Sequence, residues 1–272
     1  MANNALFEVS KLHLSLPDMS RKPLFGKAPA IHILKGLNFQ LTEGQITGIV
    51  GESGSGKTTL GRLLVRLLTP SEGDIIFRGQ NITNLDEKAL KPLRRDLQII
   101  FQDPLSSLNP RHTVGHIIRA PMQRYGLPNA TQKTQEMLER VGLPSHFVKR
   151  YPHELSGGQR QRVGIARAIA LEPAFILADE IVSGLDVSSQ AQVLALLQEL
   201  ASDLNLTVAF ISHDLSVIRN VCQDVIVLNQ GQIVEQGSCE RIFTAPSNPI
   251  TQTLLNAIPL PEIDDSWFDN AS

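Results

Sequence analysis

Apolar and polar positions alternate loosely along residues 5–16 and again along 31–41, where Ile31, Ile33, Leu34, Leu37, Phe39 and Leu41 carry the pattern. A period of two buries one face of an extended chain, so both stretches predict antiparallel strands, the first at an edge or within an antiparallel pair. The stretch between them, rich in proline and basic side chains, reads as a surface loop. The pattern then changes. Residues 45–50 form a short, apolar, β-branched run, which predicts a buried strand. Residues 59–68 place leucines at helical spacing with no breaker, which predicts a helix. A turn at 70–73 leads to a strand over 74–77, and another strand is expected over 97–101, ending at Gln102. From 103 to about 151, prolines 104, 110, 121, 128 and 144 punctuate amphipathic segments such as 114–119 and 133–141, predicting a small helical insert. Residues 156–170 and 189–200 read as helices, 174–178 and 206–212 as strands, and 225–228 with 232–235 as a hairpin around Gln230-Gly231.

Apolar strands alternating with helices belong to a parallel sheet covered on both faces. The expected fold class is therefore α/β, with a mostly parallel central sheet, an antiparallel β subdomain and an α-helical subdomain inserted at about 103–160. Residues 1–258 are expected to form one domain. The stretch 259–272 carries Glu262, Asp264, Asp265 and Asp269; it predicts a poorly ordered acidic tail with Trp267 and Phe268 as docking side chains. A net charge of −2 over 272 residues argues against a nucleic-acid partner, which ordinarily needs a basic face. The two cysteines, Cys222 and Cys239, lack metal-ligand spacing and read as reduced structural thiols. No signal peptide is evident, and no apolar run approaches the ~20 residues that span a bilayer.

The chemistry concentrates after the 45–50 strand. Gly51-Glu52-Ser53-Gly54-Ser55-Gly56-Lys57-Thr58 fits G-x-x-x-x-G-K-[ST], and its flanks supply the strand and the helix that the motif requires. Such a loop curls its N–H groups inward at a helix N-terminus, making an anion site. Gly51, Ser53, Gly54, Ser55, Gly56 and Thr59 would cradle phosphates, Lys57 would meet the β/γ-phosphates, and the Thr58 hydroxyl would ligate Mg²⁺. The reading is a nucleoside triphosphate site with Mg²⁺.

Three more expected strands end in suitable groups: Gln102, Asp179-Glu180 and His213. Ligands of parallel sheets sit beyond the carboxyl ends of the strands. Asp179 suits an Mg²⁺ position opposite Thr58, and Glu180 suits orienting or deprotonating an attacking water. His213 suits a γ-phosphate contact and Gln102 a water or Mg²⁺ contact. The alternatives are a helix cap for one carboxylate, a capping or core role for His213, and a plain turn at Gln102.

Leu155-Ser156-Gly157-Gly158-Gln159, placed between the phosphate loop and the acidic strand end, completes an order that resembles ATP-binding-cassette (ABC) ATPases over about residues 5–258. Phe101-Gln102-Asp103-Pro104, Ser183-Gly184-Leu185-Asp186 and Ser212-His213-Asp214 extend the match. The resemblance implies a P-loop NTPase of ABC type that hydrolyses ATP as a dimer. Each ATP would lie between the phosphate loop of one subunit and Ser156, Gly157, Gly158 and Gln159 of the other, with Asp186 nearby. The runs 101–110, 151–160 and 246–255 are similar to the ATPase subunits of dipeptide, oligopeptide and nickel importers. That likeness implies a second, non-identical ATPase subunit, two transmembrane permease subunits, an extracytoplasmic substrate-binding protein, and a peripheral position on the cytoplasmic face of the membrane.

The chain departs from the family pattern at Ile181, where proline is usual, and at Gly184, where alanine is commoner and glycine is expected to loosen the loop. Leu16 stands where an aromatic side chain is expected against adenine, leaving Phe25 as the nearest substitute. No C-terminal cysteine cluster is present, so no iron–sulfur site is implied. Export, another cargo, a soluble ATPase acting on DNA or ribosomes, and a regulator that does not hydrolyse are the competing readings.

Overall fold

The computed structural model describes residues 4–21, 26 and 28–257. Phe25, Trp267, Phe268 and the acidic residues expected to form a tail lie outside the described residues. The chain opens with three strands, β1 (Ala5–Pro17), β2 (Ala30–Thr42) and β3 (Ile46–Gly51), followed by α1 (Lys57–Leu64). Next come β4 (Glu72–Phe77), β5 (Gln80–Asn81), α2 (Glu87–Leu93) and β6 (Leu97–Ile100). A helical run follows: α3 (Pro104–Ser107), α4 (Val114–Arg124), α5 (Ala130–Arg140) and, after two short 3₁₀ turns, α6 (Gly157–Ile169). The chain then alternates through β7 (Phe175–Asp179), α7 (Val187–Asp203), β8 (Thr207–Ile211) and α8 (Leu215–Val221). It closes with β9 (Asp224–Asn229), β10 (Gln232–Ser238), α9 (Cys239–Thr244) and α10 (Pro249–Asn256).

Two sheets result. The antiparallel one has the order β2-β1-β4-β5, so β1 lies inside it, paired on both sides, and is not an edge. The other has the order β10-β9-β3-β8-β7-β6, parallel throughout except for the β9–β10 hairpin. Period-two alternation divides the parallel sheet between two cores. Ile49, Phe175, Leu177, Ala209, Ile211, Ile226 and Leu228 face α1 and the antiparallel sheet. Val50, Ile176, Ala178, Val208, Phe210, Val225 and Val227 face the helices after β6. Phe7 joins the two sheets, its ring 4.9 Å from Phe77 and 4.8 Å from Phe175. Burial on both faces is why these strands read as continuous apolar runs in the sequence.

One helix ends early. The apolar run continues to Leu68, but α1 stops at Leu64, and Arg66 turns the chain with φ 53°. Buried Arg66 donates from Nε to the Ile82 carbonyl at 2.9 Å and from a terminal nitrogen to the Leu68 carbonyl at 2.6 Å. The N–H groups of Leu67 and Leu68 return to the Arg62 carbonyl. No glycine marks this stop, so local pattern carried no sign of it. Cys222 and Cys239 are free and buried, and burial raises both thiols above their ordinary pKa.

Candidate nucleotide site

Parallel pairing brings the carboxyl ends of β3, β8, β7 and β6 to one edge, so Gly51, His213, Asp179-Glu180 and Gln102 arrive together. Glu180 and His213 line a cleft of about 560 Å³ together with Ser53, Gly54, Gly56, Lys57, Thr58, Thr59 and Ile33; Gly51, Asp179 and Gln102 are hydrogen-bonded to lining residues. Gly56 caps α1 at φ 106°, and a Cβ there would lie 2.7 Å from the Leu34 side chain; both facts call for glycine. Because α1 begins at Lys57, the N–H groups of its first turn have no helical carbonyl to meet and are available to an anion.

Lys57 curls over the loop and donates from Nζ to the Gly51 and Glu52 carbonyls at 2.8 and 2.9 Å. Burial lowers its pKa, against the pull of Glu180 and Asp179. Thr58 donates from Oγ1 to Asp179 Oδ1 at 3.2 Å. Asp179 is only 7% exposed. Burial raises its carboxyl above the ordinary range, with the Thr58 hydrogen bond opposing. Two hard oxygen donors, one an anionic group kept from water, fit Mg²⁺. Glu180 occupies left-handed backbone at φ 48°, fixed by its N–H bond to the Ile211 carbonyl at 3.0 Å. Its Oε2 accepts from Gln102 Nε2 at 2.8 Å and lies 3.7 Å from His213 Nδ1. Gln102, Glu180 and His213 thus form one cluster, and neither Asp179 nor Glu180 caps a helix.

A second group sits apart from the cleft. Ser156 caps α6 in a reciprocal pair: its Oγ accepts from the Gln159 N–H at 3.3 Å, and its N–H donates to Gln159 Oε1 at 3.0 Å. Gly157 approaches Leu185, and Gly158 approaches Ser189. Asp186 caps α7 by accepting from the Ser189 N–H at 2.9 Å and hydroxyl at 2.7 Å. Ser156, Gly157, Gly158, Gln159 and Asp186 therefore share one face, with none lining the cleft, and beside them Val187 is 86% exposed. Gly184 lies at φ 76°, a conformation that favours glycine. Ile181 is buried.

At the position expected to face adenine, Leu16 and Ile31 are direct cross-strand partners, 42% and 45% exposed. Ile33, two residues along β2, continues toward the phosphate loop. Alternation predicted the strand, but nothing local placed Ile33 against the loop that follows the next strand.

The family model described as ABC transporter matches residues 34–183. The chain is 48% identical over 238 residues to the oligopeptide transport ATP-binding protein AppF of Bacillus subtilis (strain 168), covering 86% of this chain and 72% of that protein. It is 47% identical over 241 residues to a putative peptide import ATP-binding protein of Brucella ovis, covering 88% and 76%. Among solved structures it resembles cbiO1 from Clostridium perfringens, part of the ABC transporter complex cbiONQ, with a TM-score of 0.77 and 28% identity over 89% of this chain and 92% of that one. It also resembles the ATP-binding cassette MJ0796, solved as a dimer bound to ADP and Pi, with a TM-score of 0.74 and 28% identity over 86% and 98%.

Proposed function

The chain belongs to the ABC transporter family as an ATP-binding, ATP-hydrolysing subunit, and from that premise we propose that it powers the import of peptides. The single observation that carries hydrolysis, as opposed to nucleotide binding alone, is the convergence of Gln102, Glu180 and His213 at the mouth of the phosphate cleft. A regulator that only bound nucleotide would have no use for a strained carboxylate held there. Relatives named for oligopeptide transport and peptide import favour a peptide cargo over nickel and import over export.

In this reading the loop N–H groups and Lys57 hold the β- and γ-phosphates. Thr58 and Asp179, with Gln102 at the edge, would hold Mg²⁺, which would supply positive charge to the phosphate oxygens. Glu180 takes the proton of a water as its oxygen bonds to the γ-phosphorus and the bond to the ADP oxygen breaks; inorganic phosphate leaves. His213 contacts the γ-phosphate from the β8 side.

The proposed partners are those of a peptide importer. Ser156–Gln159 and Asp186 face a second cassette, a non-identical homologue. A groove of about 540 Å³ lies between Leu67, Gln98 and Ile99 on one side and Pro121, Arg124 and Tyr125 of the helical insert on the other. With exposed Phe101 and Leu105 near Gln102, this side suits the permease pair. Residues 103–160 form the insert of a single cassette. Among the described residues no helix is long and apolar enough to cross a membrane; attachment at the cytoplasmic face runs through the permeases, with an extracytoplasmic binding protein delivering the peptide.

The test is ATP-driven uptake of a radiolabelled oligopeptide by vesicles containing the complex that copurifies with the tagged chain. Glu180→Gln should abolish uptake and cut hydrolysis on the order of 10²–10³-fold while ATP remains bound. Uptake that survives this variant, or wild-type vesicles that accumulate no peptide, overturns the proposal.

A further inference from the structure

Each peptide unit of the phosphate loop presents its C=O and N–H on opposite sides, because the unit is planar and trans. A loop that aims N–H groups at an anion must therefore aim the preceding carbonyls away from it, and those carbonyls need partners. Lys57 serves Gly51 and Glu52. The Ser55 carbonyl is served from far away in the chain: it accepts from the N–H of Gly231, in the β9–β10 turn, at 3.0 Å. The Gly231 carbonyl in turn accepts from the Lys35 N–H of β2 at 2.9 Å.

Resting on the reading of this cleft as an ATP site, we propose that Gly231 is a positioning residue for the phosphate loop. By holding the Ser55 carbonyl outward it holds the Gly56 N–H, on the same peptide unit, toward the phosphates. The turn is wedged in place. Gly231 lies at φ 79°, and a Cβ on it would sit 2.2 Å from the Ile33 carbonyl oxygen, so no larger residue fits without displacing the turn from Ser55. The same hairpin presses on the loop at a second point, where a Cβ on Gly51 would lie 2.1 Å from the Leu228 carbonyl. The C-terminal hairpin is thus the floor of the nucleotide cradle, though it lines none of the cleft.

The experiment compares equilibrium binding of Mg·ATP and of AMP to the full chain carrying Gly231→Ala. The control is Gly79→Ala, another turn glycine at positive φ (74°) with open space around it, which reads the general cost of alanine in that conformation. Gly231→Ala should weaken ATP about tenfold, the scale of one hydrogen bond, and leave AMP within about twofold because AMP lacks the phosphates that the loop holds. In steady state the loss should appear in KM, with kcat nearly unchanged. Gly79→Ala should change neither ligand. If Gly231→Ala fails to fold, an amide-to-ester replacement at residue 231, which deletes only the N–H, should give the same selective loss. Unchanged ATP affinity in a folded variant, or equal losses for ATP and AMP, overturns the proposal. Wild-type chain that binds no ATP refutes the reading of the cleft itself.

Discussion

Two adjacent carboxylates leave β7 into different surroundings. Asp179 ends a strand buried from end to end and accepts from the Thr58 hydroxyl; burial is the largest influence on it, and its pKa rises. Glu180, one residue later and turned by left-handed backbone, reaches the Gln102 amide and the cleft. That division suits one to a cation and the other to a water. It was legible from Phe175–Asp179 because an apolar run that stops at a charge needs a compensating partner. The base side was less legible. Leu16 was marked by what it lacks, but its pairing with Ile31 and the continuation through Ile33 depend on register across two strands. Among the described residues the result is an aliphatic ledge of Leu16, Ile31 and Ile33. Leu16→Tyr should therefore tighten ATP about fivefold or more, since base–aromatic stacking is worth about 1–3 kcal/mol. Titration with a fluorescent ATP analogue checks it, and unchanged affinity would place the base elsewhere.

At the scale of elements, the strands of the parallel sheet were readable because they are buried on both faces, and the C-terminal helix is held by something that no periodicity reveals. Glu235 in β10 is almost wholly buried. Burial alone would raise its pKa, but the N–H and hydroxyl of Ser247, at 2.9 and 2.7 Å, and the Asn248 N–H, at 3.1 Å, outweigh burial and hold it at about 2, below the usual 4.5. The same Asn248 caps α10 by accepting from the Ile250 N–H at 2.9 Å. One carboxylate thereby fixes the entry of α10, and Leu254 and Ala257 of that segment wall a pocket that reaches His213 and Gly51 from behind the cleft. A depressed folded pKa stabilises above the unfolded value and loses that contribution as pH falls through the folded one. Glu235→Gln should lower the free energy of unfolding by about 2 kcal/mol at pH 7, the scale of hydrogen bonds to a charged group. The gap from wild type should hold down to about pH 5 and shrink as the pH drops below 4.5 toward 2. Urea unfolding at several pH values measures it; a gap independent of pH would show that Glu235 acts by shape and not by charge.

For the whole molecule, the decisive feature is that the residues proposed for one reaction lie on two faces. The phosphate loop, Glu180 and His213 gather at the cleft, with Asp179 bonded to Thr58 beside it, whereas Ser156, Gly158 and Asp186 gather around the N-termini of α6 and α7. Sequence order alone set them all in one polypeptide and could not say which meet; the sheet topology separates them. A helix N-terminus opening with Ser156, Gly157 and Gly158 is a second anion-binding end, with no acidic residue in its own first turn. The separation has a measurable consequence. Gly158→Asp places a carboxylate in the first turn of α6, where it suits the helix dipole and should leave the fold intact. It should also leave ATP affinity of the isolated chain within about twofold, because the cleft is built without it. Yet ATP-dependent doubling of mass by light scattering, with this chain or with its partner cassette, should be lost, and hydrolysis with it, because the new charge opposes the triphosphate held by the facing subunit. If instead the isolated Gly158→Asp chain binds ATP weakly while pairing normally, the segment serves its own cleft, and the two-subunit site fails as a description of this protein.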